Sequence, residues 1–168
     1  MRSASPVSGP APAWSAGSEG EQLWFLGTLA IVRVSGETVE GRFSLVEFLF
    51  RRHTSAELHT HPQDESYIVL EGLLTVKAGS ERFELGPGGA AVVPMGVPHT
   101  FRVDSETARV LLLSTPAGIE RFVREASVPA GAPTLPPPDA PRPTPEEVER
   151  IYRKHECIEV GPRLGPDD

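Results

Sequence analysis

The stretch His59-Thr-His-Pro-Gln-Asp-Glu65, running on as Ser66-Tyr-Ile-Val-Leu-Glu-Gly72, decides how the chain is read. Residues i and i+2 of an extended strand point to one face, so His59 and His61 present both imidazoles to the same side. Pro62, which has no backbone donor, breaks that strand. The short loop after it can return Glu65 toward the two rings. The apolar run Tyr67-Ile68-Val69-Leu70 then reads as a buried strand ending at Gly72. Two neutral imidazoles and a carboxylate converging on one point make a site for a divalent metal ion.

Downstream, Pro94-Met-Gly96-Val-Pro98-His99 places a further histidine after a Pro/Gly-rich turn that re-aims the chain. A hairpin joins the two segments: Leu73 to Lys77, a turn over Ala78-Gly79-Ser80-Glu81, then Arg82 to Leu85. That connection lets both histidine segments arrive on the same wall. Upstream, Leu23 to Val34 reads as one strand-forming run that ends at the turn Ser35-Gly36. Phe43 to Arg51 is another, with Val46, Phe48 and Phe50 on one face. Further strands are expected near 57–61, 66–71, 73–78, 81–85, 90–94, 99–103 and 107–114. Frequent short strands broken by Gly and Pro indicate an antiparallel sandwich or barrel.

His59-x-His61-x3-Glu65-x6-Gly72, followed by Gly88-x5-Pro94-x-Gly96-x2-His99, resembles the paired motifs of the cupin superfamily. The resemblance implies an all-β fold, an antiparallel β-barrel or jelly roll, with a metal at its mouth held by three histidines and a glutamate. Carried over position by position, the ligands are His59, His61, Glu65 and His99. Two positions depart from the pattern: His53 stands where a glycine usually opens the first motif, and Val103 where an asparagine usually closes the second. Neither is a ligand position. With flanking strands, the resemblance covers about Gln22 to Thr115, and it also implies a homodimer. The tail Glu159-Val-Gly-Pro-Arg-Leu164 resembles the C-terminal extension of quercetinase-type dioxygenase cupins.

The chain has 168 residues and a net charge of −7, from 23 acidic against 16 basic side chains. That length suits one core, and with no basic patch neither nucleic acid nor an anionic membrane is an expected partner. The single cysteine, Cys157, precludes an intrachain disulfide. No apolar run approaches a membrane span, and Arg2 is not followed by the hydrophobic stretch of a secretory signal. A cytoplasmic protein is the expectation. Three regions follow: residues 1–20, rich in Ser, Ala, Pro and Gly and expected to be disordered or draped on the surface through Trp14; the barrel over 21–117; and an arm over 118–168. The arm opens with a short amphipathic helix, Gly118 to Ala126, and becomes Pro-rich and extended over Val128 to Thr144. Thr144-Pro145-Glu146-Glu147 starts a second helix that runs to about Lys154, with Val148, Ile151 and Tyr152 on its apolar face. Such an arm cannot fold alone and is expected to pack on the barrel as an outer wall or a dimer contact.

Three histidines and one carboxylate leave one or two positions open on a six-coordinate ion of iron, manganese, nickel, copper or zinc. In an oxidative reading a substrate hydroxyl loses its proton to Glu65, the catalytic base, and dioxygen is the co-substrate. A planar hydroxylated aromatic or an enolisable compound fits, since some of the aromatics Trp24, Phe25, Phe43, Phe48, Phe50, Tyr67 and Phe101 are expected to line the mouth. The same ion acting only as a Lewis acid would serve a cyclase or isomerase, and a non-catalytic ligand-binding barrel is a third reading. His53 reads as a solvated loop histidine. His155-Glu-Cys157 has metal-like letters, but two candidate ligands do not close a site.

Overall fold

The computed structural model describes residues 12, 14–17 and 19–166. Two antiparallel sheets share one core. The seven-stranded sheet contains β1 (Glu21–Phe25), β2 (Thr28–Val34), β3 (Ser44–Arg51), β5 (Asp64–Glu71), β8 (Ala90–Val93), β10 (Thr107–Thr115) and β11 (Ser127–Pro129), in the order β11-β1-β2-β3-β10-β5-β8. The five-stranded sheet contains β4 (Leu58–Thr60), β6 (Leu74–Ala78), β7 (Glu81–Leu85), β9 (His99–Val103) and β12 (Ile158–Gly161), in the order β12-β4-β9-β6-β7. Helices α1 (Ile119–Glu125) and α2 (Pro145–Lys154) complete an all-β jelly roll with a short helical part. Val46, Phe48, Val69 and Val110 of the larger sheet meet Leu74, Val76 and Val103 of the smaller one in a single apolar cluster. No helix among the described residues is long and apolar enough to cross a membrane.

Three expectations need correction. The run Leu23 to Val34 is a hairpin rather than one strand: Leu26 and Gly27 both take positive φ, 45° and 92°, and turn β1 back onto β2. A two-residue turn with both φ positive suits the right-handed twist of paired strands, and Gly27 makes it cheap. Tyr67 to Leu70 is not buried throughout. Tyr67 and Val69 face the core, while Leu70 is 40% exposed, because only one face of β5 meets the opposite sheet. Ser127 to Pro129, expected to be helix end and Pro-rich loop, instead pairs with β1 as a strand.

The arm is woven into both sheets, through β11 beside β1 and β12 beside β4. Buried Glu120 pins α1 by accepting the backbone N–H groups of Gly36, at 3.2 Å, and Gly118, at 2.9 Å. The capping box forms as the sequence predicts: the Glu147 N–H donates to Thr144 Oγ1 at 3.3 Å and the Thr144 N–H to Glu147 Oε2 at 2.8 Å. At the other end, the expected disorder of residues 1–11 lies outside the described residues. Trp14 is exposed rather than draped, and the segment is held by Arg33, whose guanidinium donates to the carbonyls of Ala16, Gly17 and Glu19.

The same Arg33 reaches Glu47 on β3, donating from Nε and Nη2 to Oε2 at 2.9 and 2.8 Å, while Arg109 of β10 donates to Oε1. Burial pushes the Glu47 carboxyl up, but Arg109 and Arg33 outweigh it and hold it below its ordinary value of 4.5. Glu47→Ala would leave two guanidinium groups facing one another, so a loss of about 3 kcal/mol is expected on urea unfolding at neutral pH. Folding favours the ionised carboxylate, so this contribution is complete above the ordinary value and disappears as the pH falls through the lowered one. The gap between wild type and variant should therefore close in acid.

Candidate metal centre

Alternation along β4 and a turn bonded to it bring three histidines together. His59 stands on β4, His61 just beyond it, and His99 opens β9 directly opposite His59. The ring centroids are 5.5 Å apart for His59 and His61, 4.4 Å for His59 and His99, and 4.8 Å for His61 and His99. One donor nitrogen from each lies within 4.8 Å of the others. The Pro94-Met-Gly96 turn is tied to the first motif: the Gly96 N–H donates to His61 O at 3.1 Å and the Met95 N–H to Asp64 Oδ1 at 2.8 Å. Gly96 takes φ 74°, which only glycine adopts readily.

Local hydrogen bonds decide which nitrogens face inward. His59 Nδ1 lies 2.6 Å from Glu57 O, and His99 Nδ1 lies 2.8 Å from Val97 O. A carbonyl can only accept, so both Nδ1 atoms carry the proton, and each neutral ring has its lone pair on Nε2. His61 differs: both its nitrogens are buried and neither has a hydrogen-bond partner. Such a group costs on the order of 1–3 kcal/mol unless something else satisfies it. A metal ion accepting a lone pair from each ring does so, and the donor set fits a borderline divalent ion.

Glu65, on β5, stands beside this triangle. Its Oε2 is 3.0 Å from His99 Nε2 and 3.7 Å from His61 Nε2. The same oxygen accepts the Tyr67 hydroxyl at 2.5 Å. Burial pushes Glu65 up, but the imidazoles of His61 and His99 hold it well below the usual carboxylate range. Burial, then the carboxylate, pushes the Tyr67 phenol well above its ordinary value, so it stays a donor. Burial and neighbouring His99 lower His59 and favour its neutral form. Burial also works against a charge on His99, but Glu65 raises it by more. A proton held there must leave when a metal takes the lone pair, so metal uptake releases protons.

The centre opens into a cavity of about 520 Å³. Phe25, Phe48, Phe50 and Phe101 of the barrel line it, with Phe122 of α1 and Tyr152 of α2 on the arm side. Phe48 and Phe50 stack at 5.2 Å and 7°. The rim is polar, and there Glu125 accepts from Lys154 Nζ at 2.8 Å and lies 2.9 Å from His155 Nε2. Of the aromatics expected in the mouth, Trp24 and Phe43 do not line it, and the Trp24 indole N–H instead donates to Thr134 O at 2.9 Å. His155 and Cys157 reach the cavity wall, and burial pushes the Cys157 thiol up to about 12, which leaves it a poor ligand.

His53 is exposed and away from the cluster. It takes φ 62°, the conformation that favours glycine, and its N–H donates to Val103 O at 2.9 Å. The two motif departures thus meet each other through a backbone hydrogen bond. Sequence reasoning did not find Tyr67 as the partner of Glu65, although their separation of two residues on one strand puts both on the same face. It also missed Phe122 and Tyr152, which only tertiary packing brings to the cavity.

Comparison with known proteins agrees with this geometry. The pattern of the cupin domain matches residues 46–115. Over 94 residues the chain is 31% identical to quercetin 2,3-dioxygenase of Bacillus subtilis, covering 55% of this chain but 28% of that protein. Over 82 residues it is 33% identical to an uncharacterized protein of Streptomyces coelicolor, covering 42% of this chain and 78% of the relative. Among solved structures, KdgF from Halomonas sp. superposes with a TM-score of 0.59 at 19% identity, over 66% of this chain and 99% of that one, a likeness of fold alone.

Proposed function

This chain belongs to the cupin superfamily, and on that premise we propose that it is a metal-dependent oxidoreductase of the dioxygenase type, acting on a planar hydroxylated aromatic or enolisable small molecule. The observation that carries the reading is His61, whose buried nitrogens make no hydrogen bond and cluster with His59 and His99 beside an aromatic cavity. His59, His61 and His99 would hold one divalent transition metal ion, with Glu65 at the edge of its sphere. When bound, the ion supplies Lewis acidity and, if redox-active, a route to dioxygen chemistry.

The chain's own side chains supply the rest. Phe48, Phe50 and Phe101 offer flat faces against which a substrate ring can stack while water is excluded. Glu65 is ionised, within reach of the centre, and able to accept the proton of a substrate hydroxyl. Tyr67 fixes the carboxylate by its hydrogen bond to Oε2. The relationship to a quercetin dioxygenase supports flavonols as the first substrates to try.

The test is oxygen uptake by protein reconstituted with iron, manganese, nickel, copper or zinc in turn, against a panel of flavonols and simpler enols. Consumption that requires both substrate and a redox-active ion is the expected result. A fully metallated protein that consumes no oxygen with any of them contradicts the oxidative reading and favours cyclase or isomerase chemistry.

A further inference from the structure

Strand β4, which carries His59, is three residues long and meets β9 at one residue pair, His59 opposite His99. The loop before it adds a bridge between Ser55 and Arg102 and a hydrogen bond from Thr100 Oγ1 to Ala56 O at 2.6 Å. So short a strand does not hold its own position. The support comes from its other edge, where β12 lies antiparallel to it: Ile158 opposite Thr60, Glu159 opposite His59 and Gly161 opposite Leu58, with a register shift between the last two. A Cβ on Gly161 would come within 3.0 Å of Leu58 Cδ2, which shows how closely the two strands approach.

Beyond β12 the tail grips both histidine strands. Arg163 binds the Glu57 carboxylate three times, from its backbone N–H at 3.0 Å, from Nε at 2.9 Å and from Nη2. The carbonyl of that same Glu57 accepts the Nδ1–H of His59 at 2.6 Å, the bond that turns His59 Nε2 toward the cluster. Two residues on, Gly165 O accepts Arg102 Nη1 at 2.5 Å, and Arg102 lies three residues past His99 on β9. Residues 158–165 thus strap the two strands from outside, fastening to each within three residues of a histidine.

We propose that Arg163 is a positioning residue for the metal centre, fixing Glu57 so that the His59 ring is held in its metal-binding orientation. This rests on the metal reading above. Partners that orient a ligand from behind set affinity as well as geometry. The guanidinium fork is the part that matters, since Nε and Nη2 both donate to Glu57 Oε1, and a lysine would keep the charge but not the paired donors.

The experiment is a zinc titration of the full chain against a chromophoric chelator, with cobalt(II) absorption spectra of the same proteins. Arg163→Ala should bind zinc about tenfold more weakly than wild type and show a shifted cobalt spectrum, and Arg163→Lys should recover part of the affinity. The Arg163 side chain is 60% exposed, so the metal-free melting temperature should move by no more than about 4 °C. Should Arg163→Ala not fold, Glu57→Gln carries the same test, with a loss of zinc affinity in the same direction. Unchanged zinc affinity and an unchanged cobalt spectrum, with wild type binding normally, overturn the positioning role. A wild-type chain that takes up neither ion overturns the metal reading itself and this inference with it.

Discussion

Glu65→Gln is expected to retain the metal and to lose about 10²–10⁴-fold in turnover, the usual contribution of a positioned general base. His61 and His99 outweigh the cost of burial and favour the ionised carboxylate. The amide cannot accept a substrate proton, yet it keeps an oxygen for the Tyr67 hydroxyl, which now sits at 2.5 Å. Metal content should change little, since the three imidazoles can hold the ion by themselves. Steady-state rates and metal analysis on one preparation separate the two roles. Loss of the metal in Glu65→Gln would make the carboxylate a principal ligand, and unchanged turnover would remove it as the base.

His61→Leu is expected to act in opposite directions on stability and on metal binding. Without metal, the His61 nitrogens are buried and make no hydrogen bond, and their nearest charged neighbour is Glu65 Oε2, 3.7 Å from Nε2. Replacing them with an apolar group of similar bulk removes a penalty on the order of 1–3 kcal/mol. It forfeits only the longer, 3.7 Å contact with Glu65, which keeps His99 and Tyr67. The metal-free variant should therefore be the more stable protein on urea unfolding. Metal binding should weaken by about a hundredfold or more, because losing one of the three imidazoles forfeits at least about 3 kcal/mol of a total near 10–16 kcal/mol. A variant that is destabilised when metal-free, and that binds metal like wild type, would show that His61 is satisfied some other way.

Much of the centre was legible because it rests on local rules. The i, i+2 spacing of His59 and His61 needs only a strand, and Pro62 and Gly96 mark where the chain must turn. Gly96 indeed carries φ 74° and bonds back to His61 O at 3.1 Å. The strand positions from Phe43 onward followed from period-two alternation for the same reason. What stayed hidden depends on partners far apart in sequence. Nothing local in Ile158-Glu-Val-Gly161 shows that it pairs with Leu58 to Thr60, nor that Arg163 meets Glu57.

Two misreadings have a shared cause. The run Leu23 to Val34 is uniformly strand-forming, and the reversal at Leu26-Gly27 appears only as a single glycine inside it. Tyr67 to Leu70 is uniformly apolar, yet Leu70 is exposed, because composition reports strand formation and not which face is covered. The cavity shows the same limit from the other side. Phe122 and Tyr152, whose rings lie 5.3 Å apart, belong to helices whose periodicity predicts burial but not which space they enclose.

The central claim, a metal centre built on His59, His61 and His99, is tested most directly by elemental analysis of gently purified wild-type protein, repeated after reconstitution. The account predicts about one transition metal ion per chain. A chain that holds no metal, even after reconstitution with each candidate ion, would contradict it and leave a barrel that binds small molecules without a metal.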